Sequence, residues 1–284
     1  MTASNAVGKQ LFLDFDDELV LRVHLGIYGA WDFAGDITAD VTTASAAGRM
    51  GQTNMRGTVV GEHEDSLHSI GAPRRTRLRM AEQETLRGDD DAIDESFPPD
   101  PIGQVRVRLL TESAVADLRG PTACEVLTPV EADAVIARLG PDPMTTDPQE
   151  GEERFVAVVR KKPTPIGLLL MDQSVVAGIG NVYRAELLFR ARLNPHTPGK
   201  LVPEELVREL WRDWSHLLAI GVETGQMLTM DGLDTDSYRA ALANRADRHW
   251  VYHRTGEPCR VCGTHIVMEL AAARKLYWCP NCQA

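Results

Sequence analysis

Four cysteines near the end of the chain have the type and spacing of metal ligands. Cys259-x2-Cys262 and Cys279-x2-Cys282 are two short turns sixteen residues apart. Two such turns can present four thiolates to one tetrahedral zinc ion. A second chemical feature is Gly178-Ile179-Gly180-Asn181, a glycine turn that opens into an expected helix from Val182. Backbone N–H groups at that helix start, together with the Asn181 side chain, can receive an anion, and phosphate is a natural guest. Glycine pairs also make ordinary helix-to-helix turns, so this motif alone leaves both readings open.

The elements that must position these groups can be read in outline. Residues 264–270 and 276–278 form two short strands of a hairpin between the cysteine pairs, with 271–275 at its tip. Arg274 and Lys275 then point away from the metal. So small a module depends on its ion more than on a core, and the cysteines alone are equally compatible with a purely structural zinc ribbon. Upstream, residues 8–24 read as a hairpin: Leu11, Leu13 and Phe15 alternate on one strand, Asp16-Asp17-Glu18 turns, and Val20, Arg22 and His24 alternate on the next. That first strand has no evident preceding partner, as if the sheet began elsewhere. Lys9 stands at one end of this hairpin.

Further strand-like stretches recur at 74–80, 105–110 and 122–127, separated by turn-rich gaps, which favours a β-sandwich over a parallel sheet. Thr128-Pro129-Val130-Glu131 has a capping-box pattern, and a helix is expected from Val130 until Gly140-Pro141 stops it. Helices follow to about residue 250. One over 148–161 carries Phe155, Val156 and Val159 on its apolar face, and the clearest, over 203–224, carries Leu206, Leu210, Trp214 and Leu217 and ends at Gly225. The expected fold is α+β in three units: a β-sandwich over 1–127, a helical domain over 128–250 and a zinc module over 251–284.

At 284 residues and 43% hydrophobic content, the chain is long enough for two compact domains plus a metal clip. Only Cys124 stands outside the zinc motif, which suits a reducing compartment better than a disulfide framework. There is no apolar run of membrane-spanning length and no signal-peptide pattern, so a cytoplasmic protein is expected. The formal net charge of −11 argues against a general nucleic-acid coat protein. The charge is segregated, however. Arg74, Arg75, Arg77 and Arg79 cluster, and the last forty-four residues carry Arg245, Arg248, Arg254, Arg260, Arg274 and Lys275 against Asp247, Glu257 and Glu269. One cationic face on an acidic protein fits that pattern.

Taken in order, five pieces resemble the bacterial formamidopyrimidine and endonuclease VIII family of DNA glycosylases and abasic-site lyases. They are Gly8-Lys9; His24-Leu25-Gly26-Ile27-Tyr28-Gly29; Arg138-Leu139-Gly140-Pro141-Asp142; residues 172–181; and the end from His253 to Cys282. The sequence after His24 and the Tyr-Trp-Cys-Pro before the last cysteine look more like the endonuclease VIII branch. The resemblance implies a helix-two-turn-helix domain, one structural zinc ion, and double-stranded DNA with oxidised bases or abasic sites as partner of a monomer. It implies base-excision repair by base removal and β/δ-elimination through a Schiff base. Lys9 then matches the lysine that approaches the damaged nucleotide, and Arg138 and Asn181 match backbone-contacting positions. Arg274 matches the arginine that grips the flanking phosphates, and Ile27 and Tyr28 match the wedge left where the base has departed.

This chain departs from the family at its start, where the leading helix and opening strand of the family's first domain also have no counterpart. There the exposed N-terminal proline supplies the attacking amine and a following glutamate assists proton transfer, whereas this sequence begins Met1-Thr2-Ala3-Ser4 and has neither before Lys9. The first reading is an enzyme whose natural start lies upstream. A second is a non-catalytic paralogue that binds damaged or abasic DNA, and a third is a zinc-ribbon protein contacting RNA or another protein.

Overall fold

The computed structural model describes residues 1–16, 18–36, 69–71, 97–101 and 103–284. The expected strand at 74–80 and the Arg74, Arg75, Arg77 and Arg79 cluster lie outside them. The chain divides into two compact units.

The first unit contains two four-stranded sheets. One has the order β1 (Ala3–Val7), β2 (Gln10–Phe15), β3 (Leu19–His24), β8 (Ala123–Leu127); the other runs β5 (Ser69–Gly71), β4 (Ala30–Gly35), β7 (Ala114–Arg119), β6 (Val105–Leu110). The hairpin read from the alternation is present, with Leu11 opposite Val23 and Leu13 opposite Leu21. Leu13, Leu21 and Val23 of one sheet pack with Trp31 and Leu118 of the other, which makes a β-sandwich. The expectation that β2 lacks a preceding partner is corrected, because β1 pairs with it and Thr2 N–H donates to Asp14 O at 2.8 Å. Strands β4 and β7 escaped the sequence reading. Arg119 pairs with Asp32, and Arg108 with Asp117, across neighbouring strands, so charged residues interrupt the apolar alternation there.

Helix α1 (Pro129–Ile136) starts at the capping box: Thr128 N–H and Oγ1–H both donate to Glu131 Oε2, at 2.8 and 2.9 Å. The second unit is built on α2 (Pro148–Val159), the short α3 (Ile166–Leu169), α4 (Asn181–Arg190), α5 (Glu204–Thr224) and α6 (Thr235–Ala243). Asp147 caps α2 by accepting from the N–H groups of Gln149 and Glu150. The apolar faces of α2, α4 and α5 close on one core, in which Phe155, Val159, Leu187, Leu188, Leu210, Trp211, Trp214 and Leu217 are almost fully buried. The tryptophans of α5 are therefore core residues. Gly151 lets α2 approach α5, since a Cβ there would lie 2.4 Å from Trp211 Cζ2. The unit ends in a two-stranded hairpin, β9 (Val267–Ala271) and β10 (Arg274–Trp278), with Arg274 opposite Ala271. Among the described residues no helix is long and apolar enough to cross a membrane.

Candidate functional site

The four cysteines of the second unit meet at one point. Their sulfurs all lie within 4.8 Å of one another, with Cys259 to Cys282 at 3.9 Å and Cys262 to Cys279 at 3.5 Å. A tetrahedral ion with Zn–S bonds of about 2.3 Å requires sulfur separations of about 3.8 Å. The donor set and spacing fit one structural zinc ion. The N–H groups of Val261 and Cys282 point at the sulfurs of Cys259 and Cys279 at 3.5 Å, as expected where thiolate charge gathers. Gln283, fully buried, ties the module to the helices: its Nε2 donates to Leu193 O, and its Oε1 accepts from Cys279 N–H.

The hairpin that leaves this centre turns through two alanines in the left-handed region, Ala272 at φ 48° and Ala273 at φ 60°. Two positive φ values make a tight reversal that glycine or asparagine would adopt more readily. Arg274 follows at once and is exposed.

Helix α4 supplies the facing groups. It opens at Asn181 after Gly180, which offers no side-chain cap. Gln173 holds the glycine turn, accepting from Gly178 N–H and donating to Ile179 O. Arg184, one turn into the helix and wholly buried, donates through Nη2 to Asn181 Oδ1 at 3.0 Å and to Lys275 O at 2.9 Å. That contact fixes two things at once. It occupies the oxygen of Asn181, leaving the amide Nδ2 to be offered as a donor, and it pins the start of β10 beside the helix N-terminus.

Lys9 completes the group. Gly8 N–H is anchored on Asp142 Oδ2 at 2.5 Å, and Lys9 Nζ donates to Ile179 O at 2.6 Å. A Cβ on Gly180 would stand 3.2 Å from Nζ, so glycine leaves room for the amine. The residue as a whole is open to solvent. Its ammonium end is nonetheless crowded: burial, then Arg274, then Arg184 bring its pKa down to about 8. Burial and Arg274 likewise push Arg184 down to about 10. Three cations thus converge at the positive end of a helix dipole, which is an arrangement for receiving an anion.

The structure therefore gathers Lys9, Asn181 and Arg274 at one place and adds Arg184, which the sequence reading missed. A charged residue within the apolar run of α4 was the available signal. Arg138 is exposed, with its Nε folded back on Ala134 O at 3.1 Å, and none of the contacts just described runs through it. In the first unit, Ile27 and Tyr28 project from the turn after β3, 73% and 42% exposed. Gly26 shapes that turn at φ 66°, where a Cβ would collide with Thr122 Oγ1.

Residues 139–231 match the formamidopyrimidine-DNA glycosylase H2TH domain, and residues 256–284 match the zinc finger found in FPG and IleRS. Endonuclease 8 1 of Mycobacterium bovis is 43% identical over 187 residues, covering 65% of this chain and 68% of that protein. The formamidopyrimidine-DNA glycosylase of Thermus thermophilus is 36% identical over 152 residues, 52% of this chain and 55% of that one. Among solved structures, the MutM (Fpg) protein of T. thermophilus superposes with a TM-score of 0.58 at 23% identity, over 99% of this chain and 81% of that chain. Lactococcus lactis Fpg bound non-covalently to DNA containing an AP site gives 0.61 at 18% identity, over 100% and 81%. The fold, the H2TH domain and the zinc finger are thus shared, and the chain belongs to the formamidopyrimidine-DNA glycosylase and endonuclease VIII family.

Proposed function

We propose that this protein is a base-excision-repair enzyme that binds double-stranded DNA at oxidised bases and abasic sites, removes the base, and cleaves the strand through an imine between a protein amine and the sugar C1′. The observation that carries this reading is the convergence of Lys9, Asn181, Arg184 and Arg274, in which both charges acting on Lys9 are positive. Such a site has no use for a neutral ligand and is suited to two or more phosphates of one strand. A base cannot be attacked at its glycosidic bond while stacked, and extruding it costs a few kcal/mol. In this reading Ile27 and Tyr28 fill the vacated stack, Arg274 and Asn181 hold the flanking phosphates, and Arg138 contacts the backbone further along. The wedge and the phosphate grips together offset the unstacking cost. The zinc ion, held by Cys259, Cys262, Cys279 and Cys282, has a structural role.

Binding of a duplex carrying a tetrahydrofuran abasic analogue tests the reading. Arg274→Ala is expected to lower affinity and to flatten the plot of log K against log salt by about one unit, the signature of one lost phosphate contact. Asn181→Ala is expected to weaken binding with a smaller change in slope. Unchanged affinity and slope in both variants would remove them from the grip.

A further inference from the structure

The segment leading into Cys259 takes a left-handed step at His253, where φ is 61° and the residue is not glycine. Histidine enters that region more readily than a β-branched residue does, yet at a cost that glycine does not bear. Such a conformation persists only where its surroundings dictate it, and it gathers at sites with a task.

The surroundings of His253 do dictate it. On one side the buried carboxylate of Glu186 accepts from the N–H groups of Trp250, Val251 and Tyr252 at 2.7 to 2.9 Å. On the other, the buried Arg254 donates through Nη1 to Trp250 O at 2.7 Å and through Nη2 to Pro258 O at 2.9 Å, while its Nε pairs with Glu257 at 2.9 Å. Two buried, charged side chains thus fix the residues before and after His253 and leave its own side chain outside.

What this achieves is placement. The imidazole contacts two tyrosine rings, at centroid distances of 4.5 Å from Tyr252 and 5.4 Å from Tyr277, and the residue remains exposed. Burial is therefore not what the turn gains, and the two tyrosines already meet each other at 5.1 Å. The three rings border the cation group. Tyr252 is near enough to Arg184 to act on its charge. Tyr277 follows Lys275, whose carbonyl Arg184 holds, by two residues on β10, about 7 Å along the strand.

We propose, resting on the function above, that His253 is a further DNA-contacting residue, its imidazole N–H donating to a backbone phosphate of the bound duplex that neighbours those gripped by Arg274 and Asn181. The tyrosine contacts hold the ring to one orientation before DNA arrives, so little side-chain freedom is lost on binding. A contact of this kind carries no sequence information and fixes register along the strand.

The test pairs His253→Gly with a scan of the tetrahydrofuran duplex in which one phosphate at a time is replaced by an uncharged methylphosphonate. Glycine adopts this backbone without strain, so the variant keeps the turn, loses only the ring and should melt close to the wild type. Its affinity should fall about tenfold, as expected for one lost hydrogen bond to a charged group. At one phosphate, methylphosphonate should weaken the wild type by about that factor and weaken the variant no further. A residue that only packs would instead lower Tm and leave the two losses additive at every phosphate. Additive losses throughout, or an unchanged affinity of the variant, overturn the assignment to His253 and leave the grip at Arg274 and Asn181 standing. Failure of the wild-type protein to bind the duplex overturns the proposed function as well. If His253→Gly folds poorly, His253→Asn runs the same scan, since asparagine also tolerates the left-handed region and its shorter side chain withdraws the donor.

Discussion

At Lys9 an ammonium is held between two guanidinia and over the first turn of α4, where the helix dipole is positive. Folding therefore favours the neutral amine. The pKa is about 8 in the folded protein, against about 10.5 unfolded. Below pH 8 both states are protonated and the penalty on the folded state is fully present. Between pH 8 and 10.5 the unfolded chain binds more protons than the folded one, so stability rises with pH across that window. Lys9→Met should accordingly raise Tm at pH 7, and the gain should shrink as pH climbs through the window. Thermal melts of both proteins from pH 6.5 to 10.5 check this, and a lower Tm for the variant at pH 7 would contradict it. Such a residue is retained against its own cost to stability, which is the pattern of a functional site. Lys9, Asn181 and Arg274 were legible because each sits in a recognisable stretch. Arg184 was not: its one signal, a charge among the apolar residues of α4, does not say that a buried guanidinium will span from the Asn181 side chain to the Lys275 carbonyl.

Helix α4 carries a second buried charge, and it organises the path from the helices to the metal. Glu186 is fully buried, yet its two oxygens accept from Thr229 Oγ1 and from the N–H groups of Trp250, Val251 and Tyr252 at 2.5 to 2.9 Å. Three consecutive amides of an irregular segment thus find their partners in one carboxylate. Glu186→Gln keeps the size but turns an amino group toward donors, leaving at least one of them unpaired. The expected loss is about 3 kcal/mol in chemical denaturation, with hydrogen exchange rising at Trp250, Val251 and Tyr252. A loss below about 0.5 kcal/mol would mean that the segment repacks without the carboxylate. Helices were the most legible elements of this chain: α2 and α5 have clean apolar stripes, and Thr128 with Glu131 marks the start of α1. Strands β4 and β7 were hidden because Asp32, Asp117 and Arg119 pair across the sheet, so polar residues occupy positions where alternation was sought. The Glu186 contacts join residues more than forty positions apart, and no local pattern encodes them.

Taken whole, the protein is acidic, with a net charge of −11, so attraction to a polyanion must come from where its cations stand and not from their number. The matched zinc-finger segment makes the point on its own. Residues 256–284 carry Arg260, Arg274 and Lys275 against Glu257 and Glu269, a formal balance of 3 − 2 = +1 before the cysteines are counted. Four thiolates and one Zn2+ add about −2, so the metal-bound segment is formally about −1. Stripping the metal with a strong chelator lets the ligands take back the protons that metal binding displaced, which moves the segment back toward +1. If bulk charge governed binding, the metal-free protein would grip DNA more tightly. If position governs, the outcome reverses: a two-stranded hairpin is marginal without its ion, and its collapse removes the Arg274 charge from Lys9 and Arg184 and the Lys275 carbonyl from Arg184. The expected result is one zinc per chain in the native protein. On chelation, affinity for the abasic duplex should fall, with a salt slope shallower by about one unit, while the melting signal of the β-sandwich persists. Readdition of zinc should restore both affinity and slope. Tighter binding after chelation would show that Arg274 acts through net charge alone and would remove the hairpin from the site.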